Sequence, residues 1–255
     1  MIDLHAHVLP GVDDGPKTLE DTLAVVRQAT TDGTTIIVSV AHANDGHFDV
    51  SRAQYEKAFS AASTALAAAS IGVKLIPAME VRLGPRLAQD FAEGKFLAIG
   101  NTGYFCVELP PNDFPAYTLD ALFELSLEKL RILLIHPERN RGLRKRPELA
   151  DRLLRMEVLG VASGGSLLGQ FGPEVEAAAW QLIEMGLIQA VASDGHSVSK
   201  RPLRLSAYEP VIARRYGEAV SEAMLHTTPQ QVLEGLPVEL APHERIGWRR
   251  FFAGR

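Results

Sequence analysis

The sequence predicts an α/β fold in which parallel strands alternate with helices. Two observations indicate this: short apolar runs of strand type recur along the chain, and each is followed by a stretch with apolar residues at helical spacing. A third observation, that no linker or change in composition interrupts the pattern, predicts one domain over residues 1–255. About seven strands in this order favour a closed or distorted (β/α) barrel over an open sheet, although periodicity is compatible with both.

The first strand and helix illustrate how the elements are recognised. Ile2 and Leu4 alternate with polar neighbours, as in a strand. Thr18 precedes apolar residues at spacings of three and four, and Gly33 follows as a helix stop. By the same criteria the other strands are expected over residues 34–40, 73–81, 104–109, 131–135, 158–162 and 188–192. The other helices are expected over residues 54–70 (opening after Ser51), 85–92, 117–130, 147–156 and 174–185, with a helical segment after residue 201.

Composition places the chain among globular proteins and narrows its function. The 255 residues are 46% hydrophobic and carry a formal net charge of -5, which argues against a general nucleic-acid binder. The apolar runs are far shorter than the roughly 20 residues that a bilayer span requires. Asp3 and His5 stand where a signal peptide would be apolar, and a single cysteine, Cys106, agrees with a reducing compartment. We therefore expect a cytoplasmic protein without a transmembrane segment.

Side chains that commonly bind metals follow nearly every predicted strand at its carboxyl end. In parallel βα folds this edge carries the chemistry, because loops can position side chains there without disturbing the core. Five of the eight histidines belong to this set, which scattered surface histidines would not do. The candidates, with one aspartate from the first loop, are His5, His7, Asp14, His42, Glu80, Glu108, His136, Asp194 and His196.

The residue types in this set indicate a hydrolytic metal centre. Imidazoles and carboxylates without thiolates favour Mn, Fe or Zn in a hydrolytic site over a structural zinc. His5 and His7 leave the same face of a strand and can hold one ion, while Glu80 could bridge two. The set exceeds what one ion can use, so two or three metals are expected, with hydrolysis by a metal-activated hydroxide. Any single member could instead be a satisfied core histidine or a salt-bridged carboxylate, but the whole set favours metal binding.

The motifs that contain these residues resemble those of the polymerase and histidinol phosphatase (PHP) superfamily. The opening residues 1–16, MIDLHAHVLPGVDDGP, resemble more closely the bacterial tyrosine phosphatases of capsule and exopolysaccharide operons, the CpsB/CapC type. The resemblance extends from residue 1 to about residue 235. It is also carried by the segments His136-Pro137-Glu138-Arg139-Asn140, Ser166 to Gly172, Ser193-Asp194-Gly195-His196 and Arg201-Pro202.

The resemblance implies a distorted (β/α)7 barrel of PHP type with the active site at the C-terminal ends of the strands. It also implies a trinuclear centre, usually loaded with manganese. Its ligands would divide into three sets: His5, His7, Glu80 and Asp194; Glu80, Glu108 and His136; and Asp14, His42 and His196. Arg139 and Arg201 resemble the arginines that clamp the substrate phosphate, and their positions three residues after His136 and five after His196 place both in loops that enter the site. The alternative is that both are ordinary solvated charges.

Two stretches depart from the family pattern. Residues 40–44 are VAHAN, where the family more often has Thr-Pro-His-His, so a second histidine is missing and His47 is only a loose substitute. Gly195 and Ser197 stand where the family often has Ala and Asn. We expect the ligands to be kept and the rim of the pocket to differ.

The leading interpretation is a protein-tyrosine phosphatase whose substrate, by resemblance, is the tyrosine-rich tail of a polysaccharide-synthesis kinase. A small-molecule phosphomonoesterase such as histidinol phosphatase and a non-catalytic metal-binding regulator are the alternatives, and a polymerase-associated exonuclease is less favoured. Cysteine-based phosphatase chemistry is disfavoured, because Cys106 has no arginine at the spacing of a phosphate loop and is expected to be a buried strand residue.

Two further segments bear on partners. A basic cluster after the fifth strand could steer an acidic phosphopeptide into the site or could be a solvated loop; its members are Arg139, Arg141, Arg144, Lys145 and Arg146. Residues 245–252 mix arginine with aromatic residues from Trp248 to Phe252. We expect these aromatics to cover an open end of the barrel rather than to contact a partner or a membrane surface.

Overall fold

A computed structural model describes residues 1–244 of the chain, so the predicted packing of Trp248 to Phe252 lies outside the described residues. The strands are β1 (Ile2–Ala6), β2 (Ile36–Ser39), β3 (His42–Ala43), β4 (Lys74–Pro77), β5 (Glu80–Arg82), β6 (Tyr104–Glu108), β7 (Arg131–Ile135), β8 (Leu159–Ser163) and β9 (Ile188–Ala192). The α-helices are α1 (Leu19–Thr31), α2 (Arg52–Ala68), α3 (Leu87–Ala92), α4 (Thr118–Leu127), α5 (Arg141–Lys145), α6 (Leu149–Arg155), α7 (Gly164–Leu167), α8 (Pro173–Glu184), α9 (Glu209–Tyr216), α10 (Glu218–Glu222) and α11 (Thr228–Leu233). Short 3-10 turns cover Pro137–Arg139 and Leu205–Ala207, and a π-helical turn covers Ala223–Thr227.

The strands form two parallel sheets, which confirms the predicted α/β alternation. A three-stranded sheet has the order β1-β2-β4, and a six-stranded sheet has the order β3-β5-β6-β7-β8-β9. A parallel bridge pairs Ala6, at the end of β1, with Gly195, just after β9. Two backbone hydrogen bonds reinforce this seam: His7 N–H donates to Gly195 O (2.9 Å), and Asp194 N–H donates to His5 O (3.0 Å). The residues that follow the first and the last strand are therefore held side by side.

The strands predicted over residues 34–40 and 73–81 are each divided into two, β2 with β3 and β4 with β5. Tyr55 of α2 is buried at this interruption, where its hydroxyl donates to Ser39 O (2.6 Å) and accepts from Ala78 N–H (3.0 Å). Beyond it, β3 and β5 pair with each other in the six-stranded sheet and carry His42 opposite Glu80. A continuous apolar run does not reveal such a change of pairing, nor the hydrogen bonds that a helix residue distant in sequence makes there.

The apolar core has two main layers, because alternate residues of each strand face opposite sides. On one side Phe105 of β6 packs edge-on against Phe91 of α3, with ring centroids 5.1 Å apart. On the other side Cys106 and Leu4 belong to a cluster built from strands of both sheets. Glu108 follows Cys106 by two residues and so continues the same face of β6. The second layer therefore leads directly to the carboxyl ends of the strands.

The helix starts follow the predicted capping signals. Thr18 accepts the N–H of Asp21 at the start of α1, and Ser51 accepts the N–H of Gln54 at the start of α2; both form capping boxes. Helices α5 and α7 were not predicted, because they are too short to show apolar periodicity. Within residues 1–244, no helix is both long and apolar enough to span a bilayer.

We predict that Tyr55→Phe lowers the free energy of unfolding by about 1–3 kcal/mol, because it weakens the hydrogen bonding of buried backbone groups at the strand interruption. Urea denaturation followed by circular dichroism measures the change. Tyr117→Phe is the matched control, since the Tyr117 hydroxyl is only partly buried and lies 3.5 Å from Leu83 O. Equal, small effects of the two substitutions would contradict this role for Tyr55.

Candidate metal centre

The structure brings all nine predicted metal-ligand candidates to one end of the strands. His5 lies in β1, His42 begins β3, Glu80 begins β5 and Glu108 ends β6. The other five lie in the loops that follow β1, β7 and β9, namely His7, Asp14, His136, Asp194 and His196. The predicted convergence of strand ends is therefore present.

Glu80 lies at the middle of the cluster, with a fully buried side chain. Its Oε2 is 3.4 Å from His5 Nε2, 3.1 Å from His7 Nε2 and 3.2 Å from His42 Nδ1. Its Oε1 is 3.1 Å from His136 Nε2. One carboxylate thus contacts four imidazoles from three separate segments of the chain.

A second carboxylate, Asp14, faces the opposite edge of the cluster. Its Oδ1 is 3.1 Å from His196 Nε2 and 3.5 Å from His42 Nε2, and its side chain is 42% exposed. Asp194 Oδ1 lies 3.7 Å from His5 Nε2, and Glu108 Oε1 lies 3.9 Å from His136 Nε2. The cluster therefore runs from a buried interior to a solvent-accessible edge.

Three overlapping groups in the cluster can each hold a metal ion, since their ligand atoms lie within 4.8 Å of one another. The assignment of ligand residues to these groups differs from the predicted one, because His7 and His42 each belong to two groups. The groups are His5, His7 and Glu80; His42, Glu80 and Glu108; and His7, Asp14, His42 and His196.

Several buried polar atoms of the cluster lack a hydrogen-bond partner within residues 1–244, and this shows whether divalent ions fit there. Within the described residues, both ring nitrogens of His5, one each of His7 and His42, and Glu80 Oε2 are buried without a hydrogen-bond partner. Buried polar atoms are normally satisfied, and imidazole and carboxylate are good ligands for Mn, Fe and Zn. The residues present therefore suit divalent transition-metal ions.

Charge interactions set the protonation of the cluster. Burial alone would raise the pKa of Glu80, but the charges of His5 and His42 and the hydrogen bond with His136 outweigh burial and hold that pKa well below its ordinary value. Burial, together with the nearby charge of His7, lowers the pKa of His196 to about 4. Both groups are thus in the forms that bind metals, an ionised carboxylate and a neutral imidazole.

Asp13 is a functional candidate that the sequence analysis did not assign. Its Oδ2 lies 2.7 Å from His7 Nδ1 and accepts from the backbone N–H of His42 (3.3 Å), while its Oδ1 accepts from Gly15 N–H (2.9 Å). A carboxylate on the second nitrogen of a ligand histidine fixes the ring orientation and tautomer. The adjacent pair Asp13 and Asp14 was the available signal, but the sequence does not show which aspartate points toward the cluster.

Arg82 was also missed. Its Nη2 and Nε lie 2.8 and 3.1 Å from Glu108 Oε2, and its Nη1 donates to Asp45 O (2.7 Å). Arg82 follows Glu80 by two residues, so this spacing on one strand face was the only signal. Arg82 thus binds Oε2 of Glu108, while Oε1 faces His136.

Two of the candidates have strained backbone conformations. His136 has φ 35° and Asp194 has φ 52°, in the left-handed region, which residues with a Cβ adopt at an energetic cost and often at functional sites. The 3-10 turn after His136 is anchored by the buried Glu138, whose Oε1 accepts from Ser163 N–H (3.0 Å) and Ser166 Oγ–H (2.6 Å). This anchor directs Arg139 toward the centre.

Both arginines predicted to bind phosphate reach the same oxygen of Asp194. Arg139 Nη1 lies 2.9 Å and Arg201 Nη2 2.5 Å from Asp194 Oδ2, and Arg201 Nη1 lies 3.1 Å from His196 Nε2. Burial would raise the pKa of Asp194, but the charges of Arg201, His136 and Arg139 outweigh it and hold the pKa below its ordinary value. The two arginines are therefore part of the cluster, not freely solvated charges.

The remaining basic cluster divides into different roles. Arg144 Nη1 donates to the backbone oxygens of Arg139 (2.6 Å) and Glu138 (3.3 Å), so it braces the turn that carries Arg139. Arg146 Nη2 donates to Phe114 O (3.3 Å). Arg141 is exposed. Lys145 is exposed as well, and steering of an acidic phosphopeptide by the exposed members stays a prediction.

Cys106 and His47, two further residues considered from the sequence, do not belong to the metal-binding groups described above. Cys106 is buried in β6, and burial raises the pKa of its thiol, which is opposite to what a nucleophilic cysteine needs. His47 is exposed and packs edge-on against Phe48, with ring centroids 4.4 Å apart. It belongs to none of the three groups found within residues 1–244.

Clustered imidazoles and carboxylates at the carboxyl ends of parallel strands are typical of metal-dependent hydrolases of α/β architecture. Comparison with known proteins identifies the family. A model of the family described as "Capsular polysaccharide synthesis, CpsB/CapC" matches residues 1–234. The chain belongs to the CpsB/CapC family, and the resemblance expected from the motifs is confirmed.

The tyrosine-protein phosphatase YwqE of Bacillus subtilis is 29% identical over 252 residues, which cover 99% of both chains. A chain from the crystal structures described as "YwqE from Bacillus subtilis and CpsB from Streptococcus pneumoniae, unique metal-dependent tyrosine phosphatases" matches with a TM-score of 0.89 and 29% identity, over 96% of this chain and 99% of that one. A Listeria monocytogenes protein assigned as a histidinol phosphatase matches with a TM-score of 0.52 and 13% identity, over 82% of this chain and 100% of that one. This last likeness concerns the fold alone.

We predict that Asp13→Asn weakens Mn²⁺ binding by about 10- to 100-fold, because the amide no longer fixes the His7 tautomer as the carboxylate does. Isothermal titration calorimetry with the metal-free protein measures the change. Asp151→Asn, at an exposed position of α6, removes the same charge from a helix that carries none of the nine candidates and should bind Mn²⁺ as the unmodified protein does. Unaltered Mn²⁺ affinity in Asp13→Asn would refute the orienting role.

Proposed function

We propose that this chain is a metal-dependent protein-tyrosine phosphatase. The observation that carries the proposal is the convergence of Arg139 and Arg201 on Asp194 within a cluster of buried imidazoles and carboxylates. Two guanidinium groups beside candidate metal ligands suit a phosphate monoester, whose double negative charge must be spread over several cations. The similarity to YwqE over nearly the whole chain supports phosphotyrosine as the substrate class.

We further propose that the nine candidates hold three divalent ions, with Mn²⁺ as the metal and Fe or Zn as chemically acceptable alternatives. The three overlapping groups support this number, with His136 and Asp194 close enough to complete them. When bound, such ions neutralise phosphate charge and lower the pKa of water so that it can attack phosphorus at neutral pH.

The protein side chains themselves would bind and orient the phosphate. Each guanidinium offers a planar pair of N–H donors that matches two phosphate oxygens and stays charged at any physiological pH. Asp194 binds the guanidinium groups of Arg139 and Arg201 and so fixes their relative position. The turn after His136, anchored by Glu138, keeps Arg139 in place. The phenolate of tyrosine has a conjugate-acid pKa of about 10, so its departure needs little help from a general acid. The proposal therefore requires no proton donor among the nine residues.

The architecture proposed for this site is a closed, distorted (β/α)7 barrel. Counting β2 with β3 and β4 with β5 as single interrupted strands supports seven strands in sequence order. The bridge between Ala6 and Gly195 supports a connection of the last strand to the first. In such a barrel all the candidate ligands would face one central opening.

We infer that the natural substrate is the phosphorylated, tyrosine-rich tail of a kinase for polysaccharide synthesis, and that the protein acts in the cytoplasm. The description of the family as belonging to capsular polysaccharide synthesis supports this setting. Histidinol phosphatase activity remains the second candidate, and only a likeness of fold at 13% identity favours it.

The function is tested by phosphate release from a phosphotyrosine peptide, a phosphoserine peptide and histidinol phosphate, with the purified full chain and Mn²⁺. We expect the phosphotyrosine peptide to be preferred and activity to disappear with a chelator and in His136→Ala. Preference for histidinol phosphate would replace the proposed substrate while keeping the site. No turnover of any substrate by the fully metallated protein would refute phosphatase activity.

We also predict that Arg201→Ala lowers kcat/KM for the phosphotyrosine peptide by about 100-fold, because it removes a fixed charged donor from the phosphate. Steady-state phosphate release measures the change. Arg141→Ala removes an exposed arginine of α5 and should leave kcat/KM within about twofold of the original value, consistent with the small worth of surface charges. Equal losses in the two variants would point to general electrostatic steering instead of direct phosphate binding.

A further inference from the structure

The segment from Ser166 to Gly172 carries part of the family resemblance. Its aromatic residue, Phe171, has no role yet in the metal cluster or in the arginine pair. Phe171 lies in the loop between α7 and α8, and its ring centroid is 4.6 Å from Arg139 Cζ. Its side chain is only partly buried. The aromatic ring therefore borders directly on one of the two guanidinium groups of the site.

The position of Phe171 is fixed by the fold of its own loop. A Cβ added at Gly165 would lie 3.2 Å from Phe171 Cε2 and 2.5 Å from Gln170 Oε1, so a larger residue there would push both side chains aside. Gly172 has φ 92°, a left-handed conformation that glycine adopts without strain. Gln170 N–H also donates to Gly165 O (3.0 Å). The loop thus presents the ring at a defined place.

Holding Arg139 does not by itself require an aromatic residue. Asp194 fixes the guanidinium, and Arg144 fixes the backbone oxygen of Arg139. The ring itself remains partly exposed, and Leu168 of the same loop is 42% exposed. A partly exposed aromatic ring beside a phosphate-binding arginine suits a substrate whose phosphate is attached to an apolar group.

We propose that Phe171 contacts the aromatic ring of the substrate and so selects aryl phosphates over alkyl phosphates. The inference rests on the proposed function, since it assumes that Arg139 binds the phosphate. The first ring carbon of an aryl phosphate is two bonds from phosphorus, so a phosphate on Arg139 brings the substrate ring close to Phe171. Aromatic rings attract one another at centroid separations of about 4.5–7 Å, in offset or edge-to-face geometry.

Binding of two phosphonates to the Mn²⁺-loaded full chain tests this role without depending on turnover. Benzylphosphonate carries an aromatic ring one methylene from phosphorus, so its first ring carbon is two bonds away as in an aryl phosphate, and methylphosphonate has no ring. We expect the original protein to bind benzylphosphonate more tightly by calorimetry. Phe171→Leu should weaken benzylphosphonate binding by about 3- to 10-fold, in line with the worth of an aromatic pair, and leave methylphosphonate binding within about twofold. Phe171→Tyr should restore the difference.

Phe123→Leu is the matched control, because Phe123 is 56% exposed on α4 and should affect neither ligand. Equal weakening of both phosphonates by Phe171→Leu would show that the ring only supports Arg139, and it would overturn the proposal, as would no change in either. Discrimination through Phe171 without hydrolysis of phosphotyrosine peptides would refute the proposed activity alone. No binding of either phosphonate by the original protein would overturn both.

Discussion

The structure depends on the burial of one carboxylate, Glu80, among the side chains of four histidines. A buried ionised carboxylate is costly unless charged or hydrogen-bonding partners surround it. Here the partners come from β1, the loop after it, β3 and the loop after β7. The need to satisfy Glu80 therefore ties the positions of both sheets to one point, and the strand ends can converge only in an arrangement that keeps these contacts.

The same requirement explains the residues around the cluster. Three further acids around the cluster also have charged or ionisable partners: Asp194 has two arginines, Asp13 has His7, and Glu108 has Arg82. These partners restrict each carboxylate to few orientations. A centre whose acids are held before a substrate arrives loses little conformational freedom on binding one, which is the advantage of preorganised charge.

Much of this arrangement follows from sequence, because strand periodicity and the order of elements place Glu80, His136 and Asp194 at one edge. Other features depend on contacts between distant residues. The interruption at Tyr55 requires a helix side chain to reach two strands, and neither spacing nor composition records that contact. The sharing of His42 between two groups depends on the two ring nitrogens facing different carboxylates, Glu80 and Asp14, which only the folded chain decides.

The metal centre spans the seam between β1 and β9, so metal binding and the stability of this seam are linked. His7 and His196 lie on opposite sides of this seam, with ring centroids 4.0 Å apart, beside the bridge that pairs Ala6 with Gly195. An ion shared by the two rings would connect residues that lie 189 positions apart in the sequence. Ligands that bind only the native state stabilise it by mass action. Metal binding would then stabilise the contact between β1 and β9, and loss of metal would weaken this seam first.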